Sequence, residues 1–199
     1  MTIVEICNMA LGYLATEAIT ALADGTVRAT LLSQNYATVR DAVLEERDWQ
    51  FASNWSKAPS AGTPVHPDYD YELAKPAGCV AVREVCDGDH SPIEWKLEGA
   101  YILVESLVED LVAAGTDGAY LRVTQQITDP TLWPASFVLA YAHRLASVLA
   151  VPLTENRQLQ ADQWGLYRQV MDEAASVDSM QGRPFQGPYI SALAAARST

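Results

Sequence analysis

TVRATLLSQNYATVRDAVLEER, residues 26–47, decides the fold. Ala29, Leu32, Tyr36, Val39 and Val43 recur at intervals of three, four, three and four. That spacing puts apolar side chains on one stripe of an α-helix and fits the seam of a helix bundle. Asp24-Gly25 marks a turn just before it, so the helix is expected over Thr26 to Arg47. Arg40, Asp41, Glu45, Glu46 and Arg47 lie mostly off the stripe and are expected to be solvated or to face partners. A stripe of this kind is stable only against other apolar surfaces, so further helices must supply them.

Upstream, Ile3, Cys7, Ala10, Leu11 and Leu14 form a second stripe, predicting a helix from about Ile3 to Ala15. Thr2 is its expected N-cap, with Glu5 three residues on in the capping-box arrangement. Gly12 inside it is expected to admit a closely packed neighbour, since an interior glycine otherwise costs about 1 kcal/mol relative to Ala.

Downstream, Trp49-Gln50-Phe51 forms an aromatic plug. Ser53 to Asp68, with Pro59, Ser60, Gly62, Pro64 and Pro67, reads as a linker. Period-two alternation follows: Tyr69, Tyr71 and Leu73 against Asp70, Glu72 and Ala74, then Val80 and Val82, and then Ile93, Trp95 and Leu97 against Glu94, Lys96 and Glu98. Strands continue at Tyr101 to Glu105 and through Leu121 and Val123 to near Ile127; Leu107 to Ala114 fits either a short helix or a hairpin arm. Short turns at Asp87-Gly88-Asp89 and Gly99 make the sheet antiparallel. Asp129-Pro130 then has the residues of a helix start. Trp133, Phe137, Ala140, Tyr141, Leu145, Val148 and Leu149 keep helical spacing until Pro152. A last helix is expected from a Thr154 cap to about Met180, with Leu159, Gln163, Leu166, Val170 and Ala174 on its inner face.

The expected fold is therefore α+β. Helix pairs at the two ends of the chain, residues 1–52 and 128–181, close into one four-helix bundle. Residues 53–127 form an inserted antiparallel β-sheet domain, and residues 182–199 an extended C-terminal arm.

Composition narrows the chemistry. Apolar residues make up 49% and charged residues 19%, which excludes global disorder. Thirteen Lys and Arg face 25 Asp and Glu, for a formal charge of −12. Such a chain is a poor general DNA binder, because phosphate contacts require cations. Lys occurs only at Lys57, Lys75 and Lys96, and no basic run exists. The three cysteines, Cys7, Cys79 and Cys86, read as reduced thiols and not as a disulfide framework. No unbroken apolar stretch approaches a membrane span, and Met1 to Cys7, carrying Glu5, is not expected to be a signal peptide.

Motifs for catalysis are missing: neither GxGxxG, GxxxxGK[ST] nor GxSxG occurs. His66, His90 and His143 lack metal-ligand spacing, and Cys79 and Cys86 do not match a zinc knuckle. Asp87, Asp89 and Glu94 read as a solvated turn, since the loop is too short for an EF-hand. Glu45, Glu46 and Asp48 read as a solvated helix end. Trp49, Phe51, Trp55, Tyr69 and Tyr71 are expected to fill the place where sheet meets bundle, with an interface patch as the alternative. No catalytic, cofactor or metal residue is expected.

The order of segments resembles a known family. Ile6-Cys7-Asn8-Met9-Ala10-Leu11-Gly12-Tyr13-Leu14, Ala37-Thr38-Val39-Arg40-Asp41-Ala42-Val43-Leu44 and Trp49-Gln50-Phe51-Ala52 are similar to the start of the phage tail tubular protein A family. Ile127-Thr128-Asp129-Pro130 with Trp133 and Phe137, Ala142-His143-Arg144-Leu145-Ala146, and Leu149-Ala150-Val151-Pro152-Leu153-Thr154 resemble its third helix and exit. Val82-Arg83-Glu84-Val85 and Gly99 agree in pattern. Ser106 to Gly118 and the arm after Gly182 depart from the family.

The resemblance implies a structural virion protein, the head-to-tail adaptor of short-tailed phages. Its partners would be a portal protein above, a tail nozzle protein below and copies of itself in a dodecameric ring, with genomic DNA passing through the channel without specific binding. The arm, with Arg183, Phe185, Tyr189, Ile190 and Arg197, is expected to contact the portal. Two other readings stand beside this one: a neck or head-completion protein of another tailed-phage type, and an acidic enzyme with a spatially assembled site.

Overall fold

A computed structural model of the chain describes residues 1–86, 91–105 and 118–179. Each N-terminal helix starts where a side chain satisfies its free amides. In α1, Ile3–Tyr13, the Thr2 hydroxyl accepts the Glu5 N–H at 3.3 Å and the Glu5 carboxylate accepts the Thr2 N–H at 2.7 Å. In α2, Val27–Glu46, the Thr26 hydroxyl accepts the Ala29 N–H and itself donates to Asp24. Asn8 ties the connection between them, bonding both the N–H and the carbonyl of Ile19 at 2.9 and 3.0 Å.

Six antiparallel strands follow among the described residues: β1 Ser53–Gly62, β2 Tyr71–Ala74, β3 Cys79–Cys86, β4 Trp95–Glu98, β5 Tyr101–Val104 and β6 Gly118–Gln125. They form two sheets that share β1, in the order β3-β6-β1-β2-β5-β4. Ala58, Leu73, Val85, Ile102, Val104, Ala119, Leu121 and Val123 make a small aliphatic core on this sheet. A 3-10 turn at Pro130–Leu132 leads into α3, Ala135–Thr154, and then α4, Arg157–Ser179.

The molecule is thus mixed α and β, with four helices beside the antiparallel sheets among the described residues. α3 packs against α1, α2 and α4. One larger core draws on all four helices and on Trp49 and Trp133. Its aromatic centre is Trp49, Phe137 and Tyr141, with Trp133 and Phe51 meeting Phe137 edge-on at 5.1 and 5.0 Å. Edge-to-face contact suits aromatic quadrupoles.

Several sequence expectations need correction. Ser53–Gly62 is a strand and not a linker. Its polar run hides this, because β1 is specified by the β6 ladder from Ser53 to Pro59 and not by its own hydrophobicity. The connection shrinks to 63–70. Asp129 caps the 3-10 turn, accepting from the Thr131 N–H, and the long helix starts only at Ala135. Pro134 is the reason: it pushes the preceding Trp133 into extended backbone (φ −80°, ψ 126°). Pro152 lies inside α3, which continues to Thr154 and stops at Glu155 in the left-handed region (φ 54°). Thr154 bonds back to Ala150, and Asn156 caps α4 by accepting the Leu159 N–H at 3.0 Å.

Arg40 is buried at 7% exposure, bonded to Asp41, and not solvated. On α4 the buried face runs through Gln163, Tyr167, Met171 and Ala174, while Leu166, a turn-fraction away, is exposed. Gly12 is not a packing glycine, because a Cβ built there meets nothing within 4 Å. The ambiguous stretch 107–114 and the turn 87–89 lie outside the described residues.

Candidate functional site

Polar side chains converge where the end of α2 meets the sheet. The last carbonyls of a helix lack partners and carry the negative end of its dipole. Arg83 of β3 meets that end: its Nη2 lies at hydrogen-bonding distance from the carbonyls of Leu44, Glu45 and Arg47, at 3.2, 2.8 and 2.7 Å. Its Nε donates to Thr124 on β6 at 2.8 Å. Next to it, Arg122 of β6 donates to Glu84 at 3.0 Å and to Asp48. Burial works against the Arg122 charge, but hydrogen bonds and charge from the two carboxylates outweigh it and raise its pKa. Gln126 adds a bond to Asp41 at 2.8 Å.

The same helix end also holds α4. Arg47 donates to the Met171 carbonyl at 3.0 Å and sits over the Trp49 ring at 5.4 Å, and the Tyr167 hydroxyl donates to Glu46. Glu46 and Asp48 are therefore occupied in cross-links, and the acidic helix end is a clasp joining α2, α4, β3 and β6. Sequence reading missed Arg83 and Arg122 as its centre. The available signal was two arginines on strands in a chain poor in cations.

The other chemical candidates separate in space. His143 stacks on Tyr13 at 4.3 Å with rings nearly parallel and bonds Gln163 at 2.8 Å, linking α1, α3 and α4. His66 lies in the β1–β2 connection with its Nε2 2.9 Å from Lys96 Nζ; His90 lies outside the described residues. The Cys7 thiol is pushed up to about 12 by burial, and burial also raises Cys79 despite Lys75 and Arg83 nearby. Both stay protonated at neutral pH, the unreactive form of a thiol. Among the described residues, no group of three His, Cys, Asp or Glu is placed to hold a metal ion.

The expected aromatic cluster splits. Trp49 and Phe51 join the helical core, Tyr71 packs on the sheet core, Tyr69 meets the His66 ring at 5.0 Å, and Trp55 is 51% exposed on β1. A groove of about 350 Å³ opens between α1 and the start of α3, lined by Met1, Met9, Trp133, Val138 and Leu139. Among the described residues its lining carries no ionisable side chain, and it suits apolar contact. The proposed portal-contacting residues Arg183, Phe185, Tyr189, Ile190 and Arg197 lie outside the described residues.

Compared with models of known protein families and with curated proteins, the sequence matches none.

Proposed function

We propose that this chain is a structural virion protein, the head-to-tail adaptor of a short-tailed phage, with no catalytic activity. The observation that carries the reading is the chain order. Helices from opposite ends of the polypeptide share one apolar core, with an antiparallel sheet inserted between them and clasped to the end of α2. This shared core supports reading the helices as one four-helix bundle made from N- and C-terminal pairs.

Two further features support it. A charge of −12 gives a surface that repels phosphate, which suits a channel that DNA must traverse without sticking. Exposed apolar side chains occur on separate elements, Val27 on α2, Trp55 on β1 and Leu139 on α3, and could serve heterologous contacts between neighbours in a ring. In this reading the copies form a ring, dodecameric as in the family, between portal and nozzle, and help retain packaged DNA. The arm after Gly182 reaches the portal, and the β domain faces the nozzle.

The test is to mix the purified chain with the portal protein of the same phage and measure the particle mass. A complex holding a ring of this chain is expected, and removal of 183–199 is expected to abolish it while leaving the circular dichroism spectrum unchanged. Portal binding that survives the deletion refutes the role of the arm. Failure of the intact chain to bind refutes the adaptor reading.

A further inference from the structure

The arginines of this molecule divide sharply. Eight lie among the described residues, and six have oxygen partners: Arg28 with Glu17, Arg40 with Asp41, Arg47 with the Met171 carbonyl, Arg83 with the end of α2, Arg122 with Asp48 and Glu84, and Arg168 with Glu46. Arg144 and Arg157 have no oxygen partner among the described residues, and both line one shallow pocket. In a chain where 25 carboxylates outnumber 13 cations, two arginines left without a carboxylate at one place need a reason.

The pocket has a volume of about 290 Å³ and lies where α3 turns into α4, with Ser147, Gln160 and Trp164 completing its walls. The Arg144 guanidinium stacks over the Trp164 ring at 4.2 Å and lies 5.6 Å from Tyr167. Stacking fixes the plane of the guanidinium and leaves its edge N–H groups free to donate. Arg157 is the first residue of α4, where the helix dipole disfavours a cation. An anion between the two guanidinium groups would relieve both charges together. Asp162, the first acidic residue of this helix, accepts from Gln158 at 2.8 Å.

We infer that this pocket binds a carboxylate presented by an acidic protein segment. Paired arginines match the two oxygens of a carboxylate. A nucleic acid is disfavoured on two grounds. The rest of the surface repels its remaining phosphates, and the Trp164 face on which a base would stack is already covered by Arg144. The inference does not depend on the adaptor reading, and either can fail alone.

The test is to titrate the full ¹⁵N-labelled chain with a blocked hexaglutamate peptide at low salt, following the tryptophan indole and arginine Nε–H signals, with the Trp164 signal assigned through Trp164→Phe. A saturable shift of the Trp164 and Arg144 signals is expected, weakened about tenfold in Arg157→Gln and weakened again at 150 mM salt. Arg157 is exposed, so this variant folds whatever becomes of Arg144→Gln. A hexaglutamine peptide, inorganic phosphate and a short single-stranded oligonucleotide serve as the other arms. No shift with hexaglutamate, an unchanged affinity in Arg157→Gln, or a stronger response to phosphate or oligonucleotide would each overturn the assignment.

Discussion

The helical layer and the sheet close their interiors by different means. The helical core is aromatic and large: Trp49, Phe137, Tyr141 and Tyr167 are wholly buried, and several of their polar atoms are bonded inside it, as where the Trp49 indole donates to the Val43 carbonyl at 2.9 Å. Among the described residues the sheet core is eight small or medium aliphatic side chains, and its edge strand β4 is mostly exposed. Buried area scales with side-chain size, so the sheet has less to hold it closed. The difference explains the concentration of arginine hydrogen bonds at the junction. There, polar bonds to a helix end do for the sheet what aromatic packing does for the helices.

The strongest way to break this comparison is to truncate each core. Trp49→Ala is expected to cost about 3–5 kcal/mol, and Leu121→Ala in the sheet about 2–3 kcal/mol, by chemical denaturation. Equal losses would mean that the two interiors are equivalent.

Arg83→Met retains the aliphatic stem and removes the donors to α2, for an expected loss of about 2 kcal/mol. Hydrogen exchange sharpens the point, because amides of β3 and β6 should lose protection while those of α3 keep it. Equal acceleration in α3 would show that the two layers open as one unit.

Alkaline pH probes the helical core through Cys7. Cys7 ionises near 9 when unfolded and only at about 12 when buried. The native state therefore holds more protons between those values, and stability must fall as pH rises through them, by about 1.4 kcal/mol per pH unit from this thiol. Tyr141 and Tyr167, also raised by burial, steepen the fall above pH 10. Cys7→Ala should flatten the slope of stability against pH between 9 and 10, and an unchanged slope would remove Cys7 as a cause.

The smallest effect is a gain. Gly12→Ala should stabilise by about 0.5–1 kcal/mol, since the site is helical and open. A loss would restore a packing role for that glycine.

Much of the helical layer was legible because its signals are local. The stripes of α1 and α2 and the cap at Thr2 depend on neighbours three or four residues away. The misreadings occur where a distant segment prevails. β1 looks like a linker until β6 pairs with it, and Arg40 looks solvated until α2 turns it inward beside Asp41. The lack of metal-ligand spacing at His143 was legible, but its partners Tyr13 and Gln163 were not.

By itself the sequence determined the mixed α and β composition, the apolar faces of the N-terminal helices, the antiparallel pattern of the middle and the excess of negative charge. Each follows from residue chemistry at short spacing. Only the tertiary structure decided that Ser53–Gly62 is a strand, that Arg83 clasps a helix end 36 to 39 residues away, and that Arg144 and Arg157 are left facing one pocket. The physical reason is that periodicity records which face of an element is apolar, whereas a hydrogen bond between distant segments leaves no periodic trace in either of them.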